Sequence, residues 1–376
     1  MHHFGPGPAA LPPIVTEQAA EAVLRYKTTG ISILSLAHRS PEMTAILEEA
    51  AQLVNDLCGL QDEYHILWLP GGGRMQFAML PMNLLNSGNQ GLYIDSGYWS
   101  HEAFEAARTV GNVSVLASSR ENGYRSLPHL EAAFPAFQRE ISGNSTLNEA
   151  SSAPGKATAY LHQTTNNTIF GTQFLDPLPP QDAPLVADMS SDILGVPRDF
   201  RNYALFYAVA QKNLGAAGIT LVCIRKDFLP QMADSLPPFL SYKAHVAAGG
   251  VLNTLPVFNI YTCLLMLRWT AAQGREQVYE TNARKAEMLY AALDTSPNFT
   301  APVEAASRSR MNVVFRGRSP EVEAAFLKHC AERGISGIEG HRSAGSFRAS
   351  IYNGVSESSV RALAAAVRDF DGTFAP

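Results

Sequence analysis

Leu205-Phe206-Tyr207-Ala208-Val209-Ala210-Gln211-Lys212-Asn213-Leu214-Gly215-Ala216-Ala217-Gly218-Ile219-Thr220-Leu221-Val222-Cys223-Ile224 places a single cation between two apolar runs. Leu205 to Val209 and Ile219 to Ile224 are short and apolar without alternation, the pattern of strands buried on both faces. Gly215 and Gly218 permit backbone turns that side chains would obstruct. Lys212 therefore stands where a strand breaks into a glycine turn. Taken alone it reads as the solvated lysine of an ordinary loop, and its context has to overturn that reading.

Five further runs of the same kind precede it: Ile66 to Leu69, Leu92 to Ile94, Val113 to Leu116, Ala159 to Leu161 and Leu185 to Ala187. Helix-like segments separate them, which predicts an α/β fold with a mainly parallel sheet covered on both faces. Ligands of such sheets gather beyond the carboxyl ends of the strands. The residues just after each run are then Gly71-Gly72-Gly73-Arg74, Asp95-Ser96-Gly97-Tyr98-Trp99, Thr164 to Thr168, Asp188-Met189-Ser190-Ser191 and Gln211-Lys212-Asn213. They offer amide donors, an aromatic platform, hydroxyls, a carboxylate and an amine.

The bulk properties narrow the class. A chain of 376 residues, 46% hydrophobic and 17% charged, has a folded composition and room for one large and one smaller domain. A net charge of -5 with no basic run points away from nucleic acid and anionic membranes. Cys58, Cys223, Cys263 and Cys330 show no paired or zinc-like spacing, as expected of a reducing compartment. Met1 to Ala9 lacks a basic region followed by an apolar one, so a cytoplasmic location without a signal or transit peptide is expected. Val251 to Ala272 is interrupted by Asn253, Thr254, Pro256, Asn259 and Arg268, and reads as a buried helix and not as a membrane span.

In chain order, Phe4 to Pro13 is an extended Gly/Pro arm, and Thr16 is expected to cap a helix running to Tyr26. Ser40-Pro41-Glu42 starts a second helix ending near Leu57. His38 and Arg39 fall just before it, where an anion can meet a cation and a helix start; Arg39 pairing with a carboxylate is the competing reading. Residues 139 to 156 lack hydrophobic period and read as a surface loop. After Pro256, helices at 257 to 273 and 275 to 294, a strand near Asn312, and helices at 319 to 333 and Ser356 to Phe370 suggest a small α/β domain. The resulting division is an arm at 1–13, a large domain at 14–258 and a small domain at 259–376.

Individually, each chemical signal has a plain structural reading. The Gly71-Gly72-Gly73 run serves as a turn, Asp188 as a helix cap, Trp99 as core, and His65 and His162 as core histidines, with no metal site. Together they match what pyridoxal phosphate requires: a lysine for its aldehyde, an acid for its pyridine nitrogen, a stacking ring and a phosphate cup. Lys212 would hold the aldehyde and later move the proton between the substrate's alpha carbon and the cofactor, helped by a lowered pKa.

The order of motifs resembles the phosphoserine aminotransferase family, within the fold-type I, class V pyridoxal phosphate enzymes. The match runs through Gly7-Pro8-Ala9, His38-Arg39, Gly71 to Arg74 with Gln76-Phe77, Asp95 to Trp99, Asn166 to Gly171, Asp188 to Ser191, Ala210 to Asn213, Asn253-Thr254, Ser309 to Asn312, Gly340-His341-Arg342, and Arg348 to Asn353. The resemblance implies a seven-stranded, mostly parallel sheet and a homodimer with shared active sites. It makes Lys212 the Schiff-base lysine, Asp188 the pyridinium partner, Trp99 the stacking ring and Thr168 the donor to the ring hydroxyl. Gly73, Arg74 and Gln211 would hold the phosphate, with Asn253 and Thr254 from a second subunit. Arg348 would take the alpha-carboxylate, and His341 with Arg342, plus the other subunit's His38 and Arg39, the distal anion.

The implied reaction joins 3-phosphohydroxypyruvate and glutamate to O-phosphoserine and 2-oxoglutarate in serine biosynthesis. The competing readings are another class V aminotransferase, such as one acting on alanine and glyoxylate, a relative favouring 4-phosphohydroxythreonine, or a catalytically silent binding protein. Gly5-Pro6 and Asn167 depart from the family pattern without removing a reacting group.

Overall fold

The computed structural model describes residues 1–131, 133, 157–178, 182–341 and 347–374. Its centre is a sheet of seven strands: β1 (Tyr64–Pro70), β2 (Asn89–Asp95), β3 (Val113–Ser118), β4 (Ala157–Thr164), β5 (Leu185–Asp188), β6 (Leu205–Val209) and β7 (Ile219–Arg225), in the order β1-β7-β6-β5-β4-β2-β3. Six of the seven run in one direction. β7 is antiparallel to both of its neighbours. The reason is the connection carrying Lys212, which is shorter than the dozen or so residues a parallel crossover needs.

Alternation along each strand divides the core between two faces. Phe206, Ala208, Leu221 and Cys223 face a cluster with Met43, Ile46, Ala50 and Leu264. Leu205, Tyr207 and Val222 face the opposite one, with Phe77, Leu80, Ala103 and Ala107. The first face is covered by α1 (Pro13–Leu24), α2 (Pro41–Cys58) and α5 (Val257–Gln273), the second by α3 (Gly73–Leu84) and α4 (Tyr98–Arg108). Both faces being buried accounts for the unbroken apolar runs from which the strands were read.

Helix ends follow local chemistry. The Ser40 hydroxyl accepts from Met43 N at 3.2 Å, and Gly59 in the left-handed region ends α2. The expected Thr16 cap is not what forms. α1 begins at Pro13, and the Thr16 hydroxyl donates to the Pro13 carbonyl at 2.7 Å. Proline suits the first helical position because its fixed φ is already helical and its missing N–H has no acceptor there.

Beyond α5, α6 (Arg275–Asp294), α7 (Pro320–Glu332) and α8 (Glu357–Thr373) surround an antiparallel sheet of β8 (Phe299–Thr300), β9 (Asn312–Gly317) and β10 (Phe347–Ser350). Phe299, Phe315, Phe326, Phe347 and Phe370 fill its core, joined from far away in sequence by Phe4, which is fully buried. His2 and His3 pair in parallel with Ile335 and Ser336, and the Phe4 carbonyl accepts from Ser350 N at 3.1 Å. The amino-terminal arm is thus pinned to this sheet before it crosses to the Lys212 turn, where Ala9 N donates to the Gln211 carbonyl at 2.8 Å. Among the described residues no helix is long and apolar enough to cross a membrane.

Candidate active site

The carboxyl ends of five strands of the main sheet, β1, β2, β4, β5 and β6, open into one cavity of about 270 Å³. β1 delivers the Gly71-Gly72-Gly73 turn. Gly71 has a φ of 105°, which a residue with a side chain rarely adopts, and it is pinned to β7 through the Gly218 carbonyl and the Thr220 hydroxyl. α3 starts at Gly73, so the N–H groups of Gly73 and Arg74 sit in a first turn with no intrahelical acceptor. Arg74 pairs with Glu102 at 2.7 Å and lies over the Trp99 ring at 5.6 Å.

β2 delivers Trp99 on the first turn of α4. Its indole N–H donates to the Thr168 hydroxyl at 3.1 Å, which fixes the plane of the ring. β5 ends in Asp188, buried, with its Oδ1 accepting from Ser190 N at 2.9 Å. That bond turns the backbone on itself, so the carboxylate caps its own turn and not a following helix. β6 leads into the single helical turn Ala210–Asn213, which carries Gln211 and Lys212 into the cavity. Lys212 Nζ stands 5.9 Å from the centre of the Trp99 ring.

Burial pushes the Lys212 amine below the ordinary lysine range; the Asp188 carboxylate resists that shift and the Arg348 guanidinium adds to it. Burial likewise raises Asp188, against the pull of the Lys212 ammonium and the Ser190 contact. A buried amine whose pKa is lowered, sharing a cavity with a carboxylate, is suited to accepting and returning protons. Arg348, on β10, donates from Nη1 to the Thr168 carbonyl at 3.1 Å. Its Nε is buried without a hydrogen-bond partner, a donor left for an anion.

One chain does not bring all the expected residues together. Gly73, Arg74, Trp99, Asp188, Gln211 and Lys212 share the cavity, and Thr168 and Arg348 adjoin it. His341 packs near Tyr98, with ring centres 5.6 Å apart. Arg342 and the 139 to 156 loop lie outside the described residues. His38 and Thr254 line a separate surface depression, Arg39 reaches the Val251 carbonyl at 3.4 Å, and Asn253 donates to the Thr254 carbonyl.

The structure also gives a role to Asn166, which lies in the Thr164 to Thr168 stretch but had no function of its own in the sequence reading. Its amide donates to Ser191 Oγ and Asn312 Oδ1, both at 2.8 Å, and its oxygen accepts from the Ser309 hydroxyl. It thereby ties the cavity wall to β9. No sequence periodicity signals such a bond, because the partners are 143 and 146 residues away.

The aminotransferase class-V family profile matches residues 1–363, and the chain belongs to that family of α/β-fold enzymes. Within it, the chain is 42% identical to a phosphoserine aminotransferase of Geobacillus kaustophilus over 377 aligned residues, covering 100% of this chain and 99% of the relative. The solved phosphoserine aminotransferase of Bacillus circulans subsp. alkalophilus superposes with a TM-score of 0.89 at 37% identity, covering 99% of this chain and 98% of that one. The pyridoxal phosphate-bound phosphoserine aminotransferase of Trichomonas vaginalis superposes at 0.83 with 29% identity, covering 97% and 99%.

Proposed function

We infer that the protein is a pyridoxal phosphate-dependent phosphoserine transaminase, exchanging the amino group between glutamate and 3-phosphohydroxypyruvate. The carrying observation is that Lys212, Asp188 and Trp99 meet in one cavity that begins at a helix N-terminus. The residues fit the cofactor. The first-turn N–H groups of Gly73 and Arg74 suit a phosphate, the buried Asp188 carboxylate suits a protonated ring nitrogen, and the Trp99 indole, fixed by Thr168, suits a planar ring. When bound, the cofactor supplies an aldehyde for amino groups and a ring that withdraws electrons from the substrate's alpha carbon.

The chain's own residues do the rest. Lys212 holds the aldehyde at rest, then removes and returns the alpha proton, for which its lowered pKa leaves a neutral amine available nearer to neutrality than an ordinary lysine does. Gln211 completes the phosphate site. Arg348 binds the alpha-carboxylate through its planar fork, while His341 and Arg342 receive the distal carboxylate or phosphate.

We further propose a cytoplasmic homodimer, with an arm at 1–13, a large domain at 14–258 and a small domain at 259–376. In it, His38, Arg39, Asn253 and Thr254 complete the site of the other subunit. Their separation from the Lys212 cavity within one chain supports that role.

Two measurements test the reading. Purified protein should take up pyridoxal phosphate with a shifted visible absorbance that Lys212→Ala abolishes; an unchanged spectrum in the variant sinks the role of Lys212. Glutamate should convert the bound cofactor to its amino form, and 3-phosphohydroxypyruvate should reverse the change. Failure of that reversal with intact cofactor binding would remove the substrate assignment alone.

A further inference from the structure

Lys212 rides on a single helical turn, too short to hold itself in place, so the groups that grip the turn from outside decide where the amine stands. One grip comes through the next residue, Asn213, which is buried and uses both ends of its amide. Its Nδ2 donates to the Ser191 carbonyl at 3.0 Å, in the loop that follows Asp188, and its Oδ1 accepts from the backbone N–H of Asn353 at 3.1 Å. Asn353 is buried in turn. Its Nδ2 donates to the Leu194 carbonyl at 3.1 Å, and its Oδ1 accepts from Asn282 Nδ2 on α6 at 2.8 Å. Asn282 also donates to the Gly195 carbonyl at 2.9 Å. The reaction above leaves these three asparagines unused.

An amide suits this place because Ser191 presents a carbonyl and Asn353 an N–H, and one planar group answers both. Asn353 also lies on the same stretch of chain as Arg348, and the residues between them are fixed. Arg348, Ala349 and Ser350 ladder with Val314, Val313 and Asn312 of β9, and Ile351 N donates to the Met311 carbonyl at 2.8 Å. The guanidinium near one end and the N–H that holds Asn213 at the other therefore form one rigid piece. This matters for the chemistry. The carbon from which Lys212 takes a proton is bonded directly to the carboxylate that Arg348 binds, so the substrate dictates how far apart the amine and the guanidinium must stand. Misplacing a reacting group by about 1 Å costs about 10²-fold in rate.

We propose that Asn213 is a positioning residue for Lys212: by accepting from Asn353 N it ties the Lys212 turn to the stretch that carries Arg348 and fixes the spacing between amine and guanidinium. This rests on the roles given to Lys212 and Arg348 above. Asn282 provides the contrast. It holds the side chain of Asn353, not the N–H that reaches Asn213, and so joins α6 to the same stretch without touching the Lys212 turn.

The test follows conversion of the bound cofactor by glutamate in the holoenzyme, using ordinary glutamate and glutamate deuterated at its alpha carbon. Asn213→Ala should slow the conversion by about 10- to 100-fold and raise the isotope effect, because a misplaced Lys212 burdens the proton transfer itself. The glutamate concentration giving half the maximal rate, and the uptake of pyridoxal phosphate, should change by less than about threefold. Asn282→Ala should lower the urea midpoint, since it leaves buried acceptors unpaired, yet keep the rate and isotope effect of the folded protein within about twofold of wild type. An Asn213→Ala protein whose rate and isotope effect stay within about twofold of wild type overturns the proposal. So does a slowing that Asn282→Ala reproduces, or one that comes from lost cofactor uptake. If Asn213→Ala does not fold, Asn213→Ser, whose shorter side chain falls short of Asn353 N, is held to the same outcomes. A wild-type holoenzyme that glutamate does not convert would overturn the transaminase reading along with it, whereas normal conversion in wild type and variants alike removes only the role of Asn213.

Discussion

Lys212 and Lys285 are both withdrawn from water, and burial lowers the pKa of both, yet their surroundings make them opposites. Lys285, fully buried on α6, donates to the carbonyls of Ile351, Tyr352 and Val355 at 2.9, 2.8 and 2.9 Å. Its three protons are committed to the loop that follows β10. Lys212 meets a carboxylate, a guanidinium and an indole across a cavity, and none of them fixes its protons in a saturated set of hydrogen bonds. Burial alone does not make a lysine reactive. What decides is whether its protons are already spent on immobile acceptors.

The contrast breaks first at Lys212. Lys212→Ala should lower turnover by at least about 10³-fold, within the range of lost acid–base catalysis, while thermal melting of the apoprotein stays at or above that of wild type, because a desolvated cation has been removed. A variant that melts much earlier would make Lys212 structural, like Lys285. Lys285→Met should do the reverse. Leaving three buried carbonyls without donors should cost about 3 kcal/mol in urea unfolding, with kcat of the folded fraction near wild type. A large loss of kcat without loss of stability would erase the distinction.

A smaller effect lies in pH. Burial pushes Lys285 down to about 7, while an unfolded lysine titrates near 10.4. Between those values the folded chain binds fewer protons than the unfolded chain, so stability rises with pH across the window and is flat below it. Lys285→Met should remove that slope from a series of urea melts. A slope absent already in the wild type would mean that the three carbonyls hold the ammonium charged. The smallest effect is expected at Glu102, which pairs with a largely exposed Arg74. Glu102→Gln should change stability by less than about 0.5 kcal/mol, and a larger change would show that this pair braces the cavity rim.

Much of this was legible along the chain because the cavity is built from strand ends. Each of Arg74, Trp99, Asp188 and Lys212 follows its own apolar run, and the rule that ligands gather at the carboxyl ends of parallel strands collects them without knowledge of any contact. Thr16 misled because a good capping residue competed with the Pro12-Pro13 pair, and the pair's fixed φ prevailed. The roles of Asn166 and Lys285 were not legible for another reason. The bonds of Asn166 to Ser309 and Asn312 and of Lys285 to the loop after β10 join residues 66 to 146 apart, which pattern within a window does not reach.

The sequence by itself determined the seven strands of the main sheet, the helix start at Ser40, the glycine turn after the first strand, and the chemical identity of the groups at the strand ends. These depend on local periodicity, on glycine and proline geometry, and on side-chain type. Only the tertiary structure decided that β7 runs against its neighbours, that Phe4 belongs to the core of the carboxyl-terminal sheet, and that Lys285 is spent while Lys212 is not. Each of these is settled by which distant segments pack together, and the protonation and reactivity of a buried group follow from what that packing sets against it.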